Sequence, residues 1–254
     1  MSFAICIVPA VPVRKEPSHR AEMVNQLLFG ERIVIQQQEG EWYFIKSLYD
    51  QYEGWTTFHS IEHIKKETAE QTALYAPEIL NKLWYKDAPM HIPMGSELIG
   101  YEPQLGYLWN KDYIYKAGEQ SSDSGFTEDS LIRIARSWLN APYLWGGKTI
   151  LGVDCSGFVQ TVFKVLGILL HRDAYQQAEM GEPVNDLLST KIGDLAFFNN
   201  EKGRITHVGI IWKEGYIIHA SGSVRIDHLN EEGIIHCQTG IRSHQLHSVR
   251  RVAG

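Results

Sequence analysis

Cys155 stands in the segment Gly152-Val153-Asp154-Cys155-Ser156-Gly157-Phe158. Asp154 is a residue type that caps helices, which would place the thiol in the first turn of a helix. The thiolate is the nucleophilic form of cysteine, and the positive end of a helix stabilises it. Asp154 is itself negative and opposes that effect, so the site needs a cationic partner. Gly157 leaves the next turn free of a side chain, so a substrate backbone can approach. Taken alone, Cys155 also reads as a small buried hydrophobe, as most free cysteines are. Cys6 and Cys237 have no comparable setting and keep that reading.

The histidines supply the rest of the chemistry. Thr206-His207-Val208-Gly209-Ile210-Ile211-Trp212 reads as a strand and Tyr216-Ile217-Ile218-His219-Ala220 as another, with Lys213-Glu214-Gly215 between them. Three-residue hairpin loops commonly end on a left-handed glycine, the place Gly215 takes. In that register Trp212 pairs with Tyr216, Gly209 lies opposite His219 and Ser221 lies opposite His207. Alternation then sets His207, Gly209 and His219 on one face, the two imidazoles roughly 7 Å apart at Cβ. Gly209 removes the side chain that would crowd His219. A base that takes the thiol proton and a third polar group that fixes its tautomer are what nucleophilic catalysis requires. His207 is the expected base and His219 its orienter. A two-residue loop would put the two on opposite faces. Two histidines on neighbouring strands also make half a zinc site, but no third ligand stands at convincing spacing, so no metal or other cofactor is expected. His228, His236, His244 and His247 show no pattern and read as surface or core residues.

The elements around these residues are legible too. Thr127 can cap a helix whose first turn carries Glu128 and Asp129, with Phe126 and Leu131 at staple positions and Leu131, Ala135 and Trp138 at helical spacing. Pro142 ends it. A second helix starts at about Cys155, with Val159, Val162, Phe163 and Leu166 on one face and Gly167 as its stop. Strands follow at Asp194 to Phe198, His207 to Trp212 and Tyr216 to Ala220, giving an α+β domain.

The first 120 residues have another texture. Short apolar runs such as Ala4 to Val8, Arg32 to Gln36, Trp42 to Ser47 and Gly54 to Thr57 are broken by closely spaced glycines. This half reads as all-β, apart from a possible helical turn near Ala21 to Phe29, and suits small barrels. The stretch Ile64-Lys65-Lys66-Glu67 reads as a boundary at about residue 65. Each piece then has about 60 residues, near the lower limit for an independent core. The polar stretch Gly118 to Gly125 reads as a linker.

Composition bounds the partners. The net charge of −6, without a basic stripe, argues against nucleic-acid binding. Three cysteines in 254 residues suggest a reducing compartment rather than a disulfide framework. The N-terminal apolar stretch is broken by Pro9 and Pro12, and Arg14 and Lys15 follow it instead of preceding it. That is the wrong order for a signal peptide, and no apolar run of about 18 residues exists. The expectation is a cytoplasmic protein with no membrane span.

Several blocks in order also carry a resemblance. Pro142-Tyr143-Leu144-Trp145-Gly146-Gly147, Asp154-Cys155-Ser156-Gly157-Phe158, Gly193-Asp194-Leu195, His207-Val208-Gly209-Ile210 and His219-Ala220 resemble the NlpC-type cysteine peptidases over about residues 125 to 254. In the first half, Leu28-Phe29-Gly30-Glu31 and Tyr52-Glu53-Gly54-Trp55 look like one bacterial SH3-like domain, and Pro93-Met94-Gly95-Ser96-Glu97-Leu98 like a second. The resemblance implies a papain-like α+β catalytic domain (121–254) preceded by two small all-β SH3-like barrels (1–65 and 66–120). It implies a Cys-His-His set in which Cys155 attacks, His207 shuttles the proton and His219 orients it. The Cys155 N–H and the Tyr143 hydroxyl are then candidates for supporting the oxyanion or the thiol.

The resemblance also implies a substrate: murein peptides such as L-Ala-γ-D-Glu-diamino acid, cut after the γ-carboxyl of D-glutamate. Cytoplasmic recycling enzymes of this build accept peptides with a free N-terminal L-alanine. By that likeness Glu31, Tyr52, Asp154 and Ser156 would hold the alanine ammonium and nearby amides, with Trp145 and Asp173 as further substrate contacts. Arg172-Asp173-Ala174 matches a stretch near the family's cleft, although relatives often have Ser where Ala174 stands. Glu31 and Tyr52 also read as ordinary turn and core residues of a small barrel. Rival functions are an amidase or lipid acyltransferase on the same scaffold, a non-catalytic wall-binding module, and a secreted autolysin acting on intact peptidoglycan. The first lacks an exposed apolar segment near Cys155, the second is at odds with an intact Cys-His-His set, and the third with the missing leader and the acidic charge.

Overall fold

Alternation of apolar and polar residues in the N-terminal half pleats into strands, as the computed structural model of residues 2–116 and 125–253 shows. Backbone contacts divide the chain into two units. One is Met1–Ser124 with Trp145–Ile150, the other Gly125–Leu144 with Leu151–Gly254. The expected linker, 118–125, lies outside the described residues except for Gly125.

In the first unit, Ser2–Cys6, Ala10–Arg14, Met23–Leu28, Arg32–Glu39, Trp42–Ser47, Glu53–Thr57 and Ile61–Ile64 form a seven-stranded antiparallel sheet. Its core holds Ala4, Cys6, Val11, Val13, Leu27, Ile33, Ile45 and Ile61. The helical turn expected at Ala21 to Phe29 is the strand Met23–Leu28, because pairing with Ala10–Arg14 outweighs local preference. The sheet ends at Ile64 and a short helix, Lys66–Ala69, follows, but backbone contacts do not divide the chain at residue 65.

The following piece is two small sheets, Leu80–Tyr85 with Ala88–Pro93 and Tyr113–Tyr115, and Ala73–Tyr75 with Glu97–Ile99. It does not stand apart. Phe29 of the first piece packs among Ala76, Leu83, Ile92, Leu98 and Tyr113. The Glu97 N–H donates to the Phe29 carbonyl, and Arg32 pairs with Glu97 at 2.9 Å. Gly30 lies so close to this seam that a Cβ would overlap the Glu97 carbonyl. Pieces this short gain enough core only by sharing one.

The second unit is α+β. Thr127 caps the helix Glu128–Arg136 in a capping box with Ser130. The helix stops well before Pro142; the chain turns through Asn140, at φ +71°, while Trp138 is fully buried. The helix Cys155–Val165 is buried on every side through Lys164 and is followed by Gly167 at φ +82°. It packs on Ile205–Lys213 and Tyr216–Ser221. Those strands belong to a sheet with Leu195–Asn199, Ser223–Asn230, Gly233–Ile235 and Arg242–Arg251, and pairing of the last two closes the six strands on themselves. Gly233, at φ +134°, permits the closure, since any Cβ there would overlap the His244 carbonyl. Closure removes the sheet edges. No helix among the described residues is long and apolar enough to cross a membrane.

Candidate active site

Asp154 caps the nucleophile helix by accepting from the Gly157 N–H at 2.7 Å, which sets Cys155 at its first position. The cation that the acidic cap needs is Arg172. Its Nη1 and Nη2 donate to the two Asp154 oxygens at 3.0 and 2.6 Å, and Nη1 also reaches Ser156 Oγ at 2.9 Å. Arg172 is 1% exposed, so the pair is sealed from water. Burial, and next the Asp154 charge, push the Cys155 thiol up to about 12, against the lowering effect of Arg172. Cys155 Sγ lies 4.0 Å from the Thr206 carbonyl, beside His207 in sequence. The Tyr143 phenol is pushed up by burial and then by the charges of Cys155 and Asp154.

The hairpin carries the histidines in a way the sequence reading had only half right. Gly209 pairs with His219 as expected, but Lys213, not Trp212, pairs with Tyr216. The loop is therefore the two residues Glu214 and Gly215, and a bulge between Ile211 and Lys213 restores the parity that such a loop would have reversed. His207 Nε2 and His219 Nδ1 lie 2.9 Å apart. A Cβ on Gly209 would come within 2.8 Å of the His219 Cβ.

Two groups unassigned by sequence reasoning complete the cluster. His219 Nε2 lies 3.0 Å from Asp227 Oδ2, which also accepts from Arg225 Nε at 2.8 Å, while Oδ1 accepts from the Cys237 N–H at 2.9 Å. Burial works against the Asp227 charge, but these donors together hold its carboxyl far below the usual range. His244, read as unpatterned, stacks on His207 with ring centroids 4.1 Å apart. Gly222 was the available signal for Asp227. A tight turn there pairs Ser221 with Ser223, and the register carries Arg225 opposite His219 and Asp227 opposite Ile217, on the histidines' face. His244 depends on sheet closure and had no local signal.

Burial, with mutual repulsion among His207, His219, His244 and Arg225, lowers His207 well below 6.5. Burial lowers His219 despite Asp227. Burial thus favours the neutral form of the Cys155 thiol and of both imidazoles, with the sulfur next to the backbone of the strand that carries His207. Among the described residues no group of three His, Cys, Asp or Glu is arranged to hold a metal ion.

The remaining expected site residues fall in several places. Ser156 and Asp154 are buried on the nucleophile helix and bound to Arg172. Asp173 precedes the short helix Ala174–Gln177, its N–H bonded to Gln176. Glu31, Tyr52 and Trp145 belong to the first unit. Glu31 is 2% exposed, accepts from the Leu28 N–H, and takes Lys148 Nζ at 2.9 and 3.1 Å. The ammonium it holds is the chain's own, as the guanidinium at Asp154 is. Tyr52 OH donates to the Val24 carbonyl at 3.5 Å, and the exposed Trp145 donates through its indole N–H to Glu22 at 2.8 Å.

A model of the NlpC/P60 family matches residues 140–243, and one of the bacterial dipeptidyl-peptidase Sh3 domain matches residues 13–57. The gamma-D-glutamyl-L-lysine dipeptidyl-peptidase of Bacillus subtilis is 31% identical over 218 residues, 77% of this chain and 71% of that protein. Dipeptidyl-peptidase 6 of Lysinibacillus sphaericus is 24% identical over 260 residues, 90% of this chain and 92% of its own length. The crystal structure of an NlpC/P60 family protein from Bacillus cereus shares the fold at a TM-score of 0.82 and 21% identity, covering 99% of each chain. The chain belongs to the NlpC/P60 family, as a cysteine peptidase with an SH3 domain ahead of its papain-like catalytic domain.

Proposed function

We propose that the chain is a dipeptidyl-peptidase that hydrolyses the bond from the γ-carboxyl of D-glutamate to an L-diamino acid in murein peptides with a free N-terminal L-alanine. Cys155 is the nucleophile, His207 the base and His219 its orienter. The observation that carries the reading is the buried chain His207–His219–Asp227 across three neighbouring strands, the first of which flanks the Cys155 sulfur through the Thr206 carbonyl. Relatives whose names specify gamma-D-glutamyl-L-lysine dipeptidyl-peptidases support the substrate.

With its Nε2 directed at His219, His207 takes the thiol proton on Nδ1 as Sγ attacks the γ-carbonyl carbon. The Cys155 N–H and the Tyr143 hydroxyl receive the oxyanion. Collapse forms a thioester and expels the diamino-acid nitrogen, which leaves with the proton from His207. Water, deprotonated by His207, then releases the γ-carboxylate and restores the thiol.

The demand for a free amine is supported by the dipeptidyl-peptidase SH3 match at residues 13–57. It does not draw on Glu31 or Asp154, whose charges are already matched by Lys148 and Arg172. Ser156 and Asp173, on the catalytic unit, are proposed substrate contacts, and their substitution should raise KM. We also read residues 66–116 as a second SH3-like piece, supported by its short antiparallel strands. A role in murein-peptide recycling in the cytoplasm is part of the proposal, supported by free rather than bridged thiols at Cys6, Cys155 and Cys237. Finding the protein outside the membrane on cell fractionation would remove that part.

The test is hydrolysis of L-Ala-γ-D-Glu-L-Lys, its diaminopimelate counterpart and their N-acetylated forms. Release of L-Ala-D-Glu from the free peptides alone is expected. Equal cleavage of the acetylated forms refutes the free-amine requirement, and no cleavage of any by folded, reduced enzyme refutes the substrate.

A further inference from the structure

We propose that Asp227 is a positioning residue whose carboxylate fixes the protons of two imidazoles in series, so that His207 presents a bare Nδ1 to the thiol. The inference rests on His207 being the base, as proposed above, and extends the relay by one residue.

The argument is a count of protons. Burial lowers both histidines, so at neutral pH each carries one ring proton, and at 2.9 Å there is room for a single proton between His207 Nε2 and His219 Nδ1. If it belongs to His219, then His219 Nε2 is bare and faces Asp227 Oδ2 at 3.0 Å, lone pair against lone pair. His207 would then carry its own proton on Nδ1 and could not serve as a base. If it belongs to His207, the proton of His219 sits on Nε2 and is donated to Asp227, and every atom of the chain is satisfied. A carboxylate is an acceptor only, so an ionised Asp227 selects the second arrangement. Arg225 Nε and the Cys237 N–H keep it ionised and fix its orientation. Arg225 is itself tethered to the Ser221 carbonyl through Nη1. The register explains why the reach is correct: Asp227 is the diagonal neighbour of His219 on the same face, one pair beyond the directly opposed Arg225.

The same placement matters during turnover. When His207 takes the thiol proton it becomes cationic, and its Nε2–H bond to His219 tightens. His219 in turn leans its Nε2–H on Asp227. The three groups share the positive charge without any proton passing to Asp227, which stays ionised throughout.

Long-range 1H–15N NMR of the wild-type protein at neutral pH tests the arrangement without substrate. The expected result is one neutral tautomer for each of His207 and His219, both protonated on Nε2. A proton on His207 Nδ1 at rest overturns the proposal. In Asp227→Ala the pair should lose its single tautomer, and kcat on the γ-D-glutamyl peptide should fall about 10²-fold, the scale of general-base catalysis, with KM within threefold. A folded Asp227→Ala protein with wild-type tautomers, or with kcat within threefold of wild type, also overturns it. Should that variant not fold, the wild-type spectrum decides alone, as it does if the peptide proves not to be the substrate.

Discussion

Replacing Arg172 with methionine removes the guanidinium that donates to both Asp154 oxygens while keeping most of the side-chain volume. Asp154 is 4% exposed, so the charge left behind has no water to turn to. Breaking a buried pair by deleting one partner typically costs about 3–5 kcal/mol. For a chain of this size each kcal/mol lowers Tm by about 2–4 °C, so the melting transition of the catalytic unit should fall by about 6–20 °C. Asn at position 154 retains the helix cap without the charge. The double variant Arg172→Met/Asp154→Asn should therefore recover much of the loss, and a double-mutant cycle in urea measures the coupling. The same substitution reaches the thiol. Asp154 pushes the Cys155 thiol up and Arg172 opposes it, so Arg172→Met should slow alkylation of Cys155 at fixed pH and the double variant should restore it. A loss below about 1 kcal/mol for Arg172→Met, the range of an exposed pair, would refute the account of Arg172 as the buried counter-ion of the cap.

Other perturbations read other parts of the molecule. Because burial raises the Cys155 thiol to about 12 and lowers His207, iodoacetamide should alkylate Cys155 slowly at pH 7 and faster as pH rises beyond 9; a fast plateau from pH 5 to 8 would show a resting thiolate instead. His207, His219 and His244 all have lowered values, His244 to about 4 from 6.5, so below pH 6.5 the unfolded chain binds more protons than the folded one and stability rises with pH across that window. Urea midpoints should accordingly be lower at pH 5 than at pH 7, and equal midpoints would contradict the buried neutral cluster. Lys148→Met should destabilise the first unit by about 3–5 kcal/mol through the stranded Glu31, with Lys148→Met/Glu31→Gln largely restored, as followed by thermal melting. Gly209→Ala should cost about 1–3 kcal/mol and at least tenfold in kcat, since its Cβ would come within 2.8 Å of both Ile217 and the His219 Cβ. Gly215→Ala, at a loop glycine with open space around it, should leave kcat unchanged.

What could be read from the sequence was local chemistry. Thr127 and Asp154 act as caps within three or four residues, and both caps stand where their residue types put them. The pairing of Gly209 with His219 followed from a hairpin, the shortest-range tertiary contact a sheet has. The loop length did not follow, because a bulged residue and a loop residue look alike in a string of letters. The pairs from Gly209–His219 to Ile211–Ile217 are the same in both registers, and the difference lies only at Trp212, which is bulged out while Lys213 takes its place opposite Tyr216. The second small piece of the N-terminal half shares its core with the first, as pieces of about 60 residues must. Which residue completes that core is not legible locally: it is Phe29, 44 residues before the first strand of the piece, Ala73–Tyr75.

The candidate site divides along the same line, and the division has a physical meaning. Cys155, His207 and His219 sit on elements whose local signals are strong, because each must be aimed. The groups that set their charge come from farther away or from closure of the sheet: Arg172 from beyond the nucleophile helix, Asp227 across a second hairpin, His244 from a strand that returns to seal the ring. Electrostatic partners of this kind are chosen by proximity in space, and a carboxylate, guanidinium or imidazole can arrive from any element that the topology brings near. The same holds in reverse for Glu31 and Asp154. Each looks from sequence like a carboxylate free to receive an ammonium, and each is neutralised by a cation more than fifteen residues away. Reading a buried carboxylate as a ligand therefore requires first accounting for the chain's own cations, because burial without a counter-ion would have been too costly for the fold to keep.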